Sequence, residues 1–156
     1  MADVTIANSP ALTGTTQNVQ ALDHGVNSIP FYWTANGNTV SVSSIVFLAK
    51  IPHGAHITSL TMSGWIGSAG NSTVDVGLVG EASLDYFVTA ATVSATATTA
   101  FTIRTGAVPH FVSLSDDTQP RFRYLQAKFV TNSTQTVTAI LKGVIEYVMG
   151  KPTIST

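Results

Sequence analysis

From residue 28 onward the chain runs in short stretches that alternate apolar and polar side chains, punctuated by Gly, Asn, Asp and Pro. A period of two sends successive side chains to opposite faces of an extended backbone, so each stretch predicts a strand with one drier face. In HITSLTMSGWI, residues 56–66, the drier face carries Thr58, Leu60, Met62, Gly64 and Ile66, and the other carries Ile57, Ser59, Thr61, Ser63 and Trp65. In STVDVGLVG, residues 72–80, Val74, Val76 and Leu78 share a face against Thr73, Asp75 and Gly77. Asn36-Gly37 stands between aromatic and β-branched runs and predicts a hairpin of strands 29–35 and 39–49, because both residues accept the positive φ of a tight turn. The last third, RFRYLQAKFVTNSTQTVTAILKGVIEYVM, predicts two long strands joined through TNSTQ as an antiparallel hairpin.

The remaining stretches are less regular. Within EASLDYFVTAATVSATATTAFTIR only the closing AFTIR reads as extended, and GAVPHFVSLSDDTQP reads as a long connection around one short strand. Residues 1–27 keep no period of two or 3.6 and contain Pro10, Gly14 and Gly25, which predicts an extended arm. The arm carries Val4, Ile6, Leu12, Val19 and Leu22 without the alternation that would place them in a sheet of their own. Val4, Ile6, Leu12 and Val19, with Phe31 and Trp33, form the candidate interface. No run has the caps and spacing of an amphipathic helix. The expected organisation is an arm (1–27), one all-β, antiparallel domain (28–150) and a short tail (151–156). About eight strands with such turns leave a sandwich, a jelly roll or a barrel.

Charge narrows the function. Only 10% of the 156 residues are Asp, Glu, Lys or Arg, against about 25% in an ordinary domain. A neutral, hydroxyl-rich surface of this kind suits faces covered by partners better than a free monomer. The net charge of −1 provides no footprint for nucleic acid, which needs clustered Lys and Arg. The one basic cluster, RFRY, puts Arg121 and Arg123 on one strand face, where a solvated or subunit-facing pair is expected rather than a phosphate site. No stretch has the length and apolarity of a membrane span, and the start of the chain lacks a signal-peptide pattern. The chain has no cysteine, so no disulfide is expected and a reducing cytoplasm presents no obstacle to folding.

Candidate chemistry is thin. In KIPHGAHI, His53 and His56 stand three apart, a spacing that shares a metal only on a helix, and Pro52 and Gly54 argue against a helix there. The same residues make a plain corner: Pro52 fixes φ early in a turn, Gly54 supplies a positive φ, and the histidines form a polar rim. Asp23, His24, Asp75, Asp85 and His110 are dispersed, Asp116-Asp117 suits a turn, and no phosphate-binding loop occurs. In PFYW, Phe31 and Trp33 point one way and Tyr32 the other; core or intersubunit packing is expected of the pair ahead of a sugar-stacking platform. No catalytic residue, metal ligand, cofactor or small-molecule substrate is assigned.

Taken in order, IVFLAKIPHGAHI, STVDVGLVG with the following LDYFVTAA, and the closing LQAKFVTNSTQTVTAILKGVIEYV resemble the head decoration, or cement, proteins of tailed bacteriophages over about residues 40–148. What matches is a strand ending in a lysine and an IPHGA-type corner, a VDVGL-type strand before an aspartate-aromatic segment, and a terminal β-hairpin. The resemblance implies a jelly-roll-like fold, a homo-oligomer with a trimer favoured, and attachment to the outer surface of a lattice of major capsid protein. It also implies synthesis in the bacterial host cytoplasm, a place on the virion surface, and no enzymatic residues. The alternative is a phage fibre or receptor-binding head, or a carbohydrate-binding β-sandwich, with PFYW or Trp65 as the stacking surface.

Overall fold

The computed structural model describes residues 5–8, 25–67, 72–81, 83–94, 97–113, 122–132 and 138–149, with the backbone alone at 5–8, 131 and 132. They form ten strands: β1 (Thr5–Asn8), β2 (Asn27–Thr34), β3 (Ile45–Pro52), β4 (Ala55–Ile66), β5 (Ser72–Leu78), β6 (Val88–Val93), β7 (Thr99–Ala100), β8 (His110–Phe111), β9 (Phe122–Asn132) and β10 (Ala139–Met149). One sheet has the order β1-β3-β9-β5-β6 and the other β2-β10-β4-β7, with β8 also on β4. All pairings are antiparallel except β1 on β3. Consecutive strands change sheet at every step except β5 to β6 and β7 to β8. That is the all-β sandwich expected from the alternation, threaded as a jelly roll.

The two long terminal strands do not form the predicted hairpin. β9 lies between β3 and β5, whereas β10 lies between β2 and β4 in the opposite sheet. Asn36-Gly37 makes the expected tight turn, with φ of 47° and 85° and the Asn38 amide donating to Ala35 O. It nevertheless carries the chain from one sheet to the other, because β2 pairs with β10 and β3 with β9. Turn chemistry sets a local change of direction. Which strand then lies alongside is decided by pairing and burial: β2 joins β10 in one sheet, and β3 joins β9 in the other.

Alternation holds where the register is regular. Along β5, Ser72, Val74, Val76 and Leu78 point inward as buried residues. Along β4, Leu60, Met62, Gly64 and Ile66 are buried as expected, but Ile57 is also buried and Thr58 is exposed. The reason is a bulge: Glu146 faces Ser59 and Tyr147 faces Ile57, leaving Thr58 as the extra residue. Its hydroxyl donates to Glu146 O at 3.3 Å. β6 emerges from the stretch that the sequence left irregular, and of AFTIR only Ala100 belongs to a strand, although the Phe101 amide donates to Met62 O.

The core lies between the sheets, with Trp33, Phe87, Leu48, Leu125, Phe129, Leu141 and Ile145 almost fully buried. Each such side chain contributes roughly 1.5–3 kcal/mol by leaving water. Phe31 and Trp33, candidate interface residues from the sequence, are 4% and 1% exposed and belong to this layer, facing the chain's own core. The Trp33 Nε1–H has no partner among the described residues. Within the arm, Thr5–Asn8 lies parallel to β3, Thr5 facing Ile45 and Asn8 facing Phe47. Val4, Leu12, Val19, Leu22 and the tail lie outside the described residues, and of Ile6 only the backbone is described.

Candidate functional site

The corner at IPHGA joins the two sheets in two residues, since β3 ends at Pro52 and β4 begins at Ala55. Gly54 has φ +84°, the conformation its place in the turn predicted. Its amide donates to Val112 O at 3.0 Å, and the Val112 amide donates to Ala55 O at 2.8 Å, so the corner is laced to the segment after β8. His53 is exposed and His56 half-buried; their rings lie 6.4 and 4.9 Å from the ring of Phe111, itself 48% exposed. Among the described residues no three His, Asp or Glu side chains gather where a metal ion could sit.

Charge collects instead at one end of the sandwich. Arg123, expected as a solvated or subunit-facing residue, is instead buried within the chain: its side chain is 7% exposed. Its Nη1 donates to Val79 O at 3.0 Å, its Nε donates to Ser113 O, and Nε lies 3.8 Å from Glu81 Oε1. The other Glu81 oxygen is 2.8 Å from His110 Nε2, and the His110 ring packs on Tyr86 (4.5 Å) and edge-on to Phe87 (5.6 Å). Alternation explains the burial, because positions 123, 125, 127 and 129 of β9 all face inward. An arginine on that face has to reach carbonyl and carboxylate oxygens at the end of the layer. Sequence reasoning missed Glu81, which lies in an irregular loop 29 residues from His110 with no spacing to connect them.

Beside this cluster, Asp85 accepts from Ser83 Oγ and, at 3.1 Å, from Thr89 Oγ1, with Arg104 Nη1 at 3.8 Å. The Ser83 hydroxyl, followed by that of Thr89, lowers the Asp85 pKa from its ordinary value. Asp75, on β5, accepts the amide of Ala90 (φ +48°) at 2.7 Å where the β5-β6 register shifts. Asp85 therefore fixes a loop, and Asp75 an irregularity between two paired strands. Asp23, His24, Asp116, Asp117 and Arg121 lie outside the described residues.

The two outward faces differ. On the β3-β9 face, Phe47 stacks on Tyr124 at 4.9 Å, Phe122 meets Tyr124 edge-on, and Lys50 Nζ sits 4.9 Å over the Phe122 ring. The loop after β5 crosses that face at Gly77, where a Cβ would stand 2.7 Å from Leu84 O. On the β2-β10-β4 face the register sets Thr34, Ile140 and Trp65 in one row, Tyr32, Lys142 and Ser63 in the next, and Pro30, Val144 and Thr61 in the third. An open depression of about 430 Å3 lies over the last two rows.

No protein-family model and no curated protein sequence matches the chain. Solved structures do match it, among them two phage capsids. One is the cyanophage Pam1 capsid asymmetric unit, matched with a TM-score of 0.62 and 16% identity over 90% of this chain and 99% of the other. The second is the capsid of Ralstonia phage GP4, matched with a TM-score of 0.61 and 18% identity over 81% of this chain and 86% of the other. At such identities it is the fold that is shared, and the chain is similar through nearly its whole jelly roll to chains of two phage capsid structures.

Proposed function

We propose that this chain is a non-enzymatic structural protein of a bacteriophage virion, which decorates the outer surface of the capsid and stabilises it. The observation that carries the reading is the span of the fold likeness: 90% of this chain against 99% of a chain in the Pam1 capsid. A whole chain, and not an inserted domain, is what corresponds. The composition supports the same reading, since a chain with only 10% charged residues has a surface suited to burial against other subunits.

In this reading the partner is the major capsid protein and the chain acts as a homo-oligomer, with a trimer favoured. The arm adds Thr5–Asn8 to the chain's own sheet beside β3, and through Val4, Leu12 and Val19 it reaches a neighbouring subunit or the capsid floor. Each contact is modest, and repetition around the shell supplies resistance to the pressure of packaged DNA. The Glu81-Arg123-His110 cluster fits a structural role, because the buried arginine joins Val79 O, Ser113 O and Glu81, and Glu81 in turn joins His110.

The test is to add the purified chain to undecorated capsids and image them by electron microscopy, with sedimentation as the bulk readout. Ordered extra density on the outer lattice, and capsids that survive harsher heating or osmotic shock, are the expected results. Particles without added density at saturating protein would refute the decoration role.

A further inference from the structure

We propose that the outward face of β2-β10-β4 carries a binding site for acidic saccharides, centred on Tyr32 and Lys142. The inference stands apart from the capsid reading and rests on this face alone.

Tyr32 is 45% exposed although its neighbours Phe31 and Trp33 are buried, so the edge strand presents one aromatic ring outward. In register with it across β10 and β4 stand Lys142 and Ser63, and the next row brings Val144 and Thr61. These five residues line the depression of about 430 Å3, with Phe31, Met62 and Gly143 between them, a volume within the range of small-ligand sites. A sugar ring offers C–H groups of slight positive charge on one face, which suit the electron-rich face of a tyrosine. Its hydroxyls need partners around the rim.

Those partners are uncommitted. Among the described residues, the Tyr32 and Ser63 hydroxyls, the Thr61 hydroxyl and the Lys142 ammonium make no side-chain hydrogen bond or ion pair. The contrast with the opposite face is direct, since there the aromatic rings pack on one another and Lys50 covers Phe122. An apolar protein surface docked on Tyr32 would strand four donors, whereas a saccharide brings acceptors to each. Among the described residues Lys142 is the one cation lining the depression, which selects a carboxylated sugar over a neutral one. The site is open and shallow, as a chain of sugars lying across a sheet requires.

The experiment titrates the full chain with oligosaccharides of glucuronate, galacturonate, mannuronate and sialate, and with neutral maltohexaose, following heat and NMR shifts. Saturable binding of at least one acidic oligosaccharide, tighter than that of maltohexaose, is expected. Tyr32→Ala should weaken it about tenfold or more, and Lys142→Gln should abolish the preference for acid over neutral sugar, with melting curves confirming that both variants fold. Absence of saturable binding to every acidic probe would overturn the proposal, as would binding that Tyr32→Ala leaves unchanged. The same variant is also added to undecorated capsids. If Tyr32→Ala abolishes capsid binding, the face is the capsid contact and the saccharide site is refuted; if capsid binding persists while sugar binding falls, the site is independent of decoration.

Discussion

Gly80 and Arg123 share one space: a Cβ on Gly80 would lie against the Arg123 guanidinium, and Gly80 holds φ +82° as it passes over it. The loop from β5 can close over the buried arginine only with no side chain at this point. Gly80→Ala therefore has two costs, a positive φ for a residue with a Cβ and displacement of the guanidinium. The first alone is about 1–3 kcal/mol, and in a chain of this size melting should fall by several degrees. Calorimetry showing an unchanged melting temperature would remove Arg123 from its place as the clamp of this end.

Removing the arginine itself should cost more. Arg123→Ala strands Glu81, half of whose partners it supplied, and leaves Val79 O and Ser113 O without their donor. Breaking a buried charge pair from one side costs about 3–5 kcal/mol. In Arg123→Met with Glu81→Gln, where neither charge remains, part of that loss should return. Urea unfolding of the single and double variants forms the cycle, and a coupling energy near zero would show that the two side chains act independently.

At the corner, replacing both His53 and His56 by alanine should leave melting and assembly almost unchanged, since these rings lie on the outside against Phe111. Gly54→Val should cost about 1–3 kcal/mol, because a β-branched residue is disfavoured at φ +84°. The comparison separates the corner's backbone from its imidazoles. A histidine pair that proves essential would reverse the assignment of the corner as purely structural.

Two groups give stability a pH dependence of known sign. Burial raises the Tyr147 pKa above its ordinary 10.0, so the fold favours the neutral phenol. Its contribution is complete below the unfolded-state pKa and is lost as pH rises through the higher folded-state value. Asp85, lowered by its hydrogen bonds, behaves oppositely: its contribution is present above the unfolded-state pKa and is lost as pH falls through the folded-state value. Melting curves across alkaline pH should fall less steeply for Tyr147→Phe than for the parent, and across acid pH less steeply for Asp85→Asn. Parallel curves would deny these groups any part in the pH response.

Pro30 guards an edge. The Ala35 amide donates to Ala139 O, and with an unbroken register the alternate residues Trp33, Phe31 and Ile29 also bond inward to β10. Pro30 therefore sits at a position whose amide would face the open side of β2, where its ring removes a donor from an otherwise continuous edge. Pro30→Thr should restore that donor and promote self-association, read as growing light scattering at high concentration. A variant as dispersed as the parent would show that the edge is shielded by something else.

Strands, their inward residues and the IPHGA corner were legible because each depends on a few adjacent side chains. Val74, Val76 and Leu78 point inward for the reason their spacing implied. What the spacing could not convey is which strands become neighbours. β9 and β10 look like a hairpin from TNSTQ outward, yet they centre opposite sheets, because both carry an apolar face that packs inward and both find partners distant in the chain. The slip at Thr58 depends on the facing strand, so no reading of β4 alone reveals it. The Glu81-Arg123-His110 cluster was hidden for the same reason, assembled from three separated segments. On the outward face, Tyr32 was placed opposite Phe31 and Trp33 by alternation, but its row with Lys142 and Ser63 exists only through pairing.

Because β9 and β10 are central, the strands made first wait for those made last. Before Phe122–Met149 has left the ribosome, β3 and β5 have no β9 between them, and β2 and β4 have no β10. A chain cut short before Phe122 therefore keeps only the β1-β3, β5-β6 and β4-β7-β8 pairings, with open edges in both layers. Both layers thus depend on one late segment, Phe122–Met149, which closes the two sheets together.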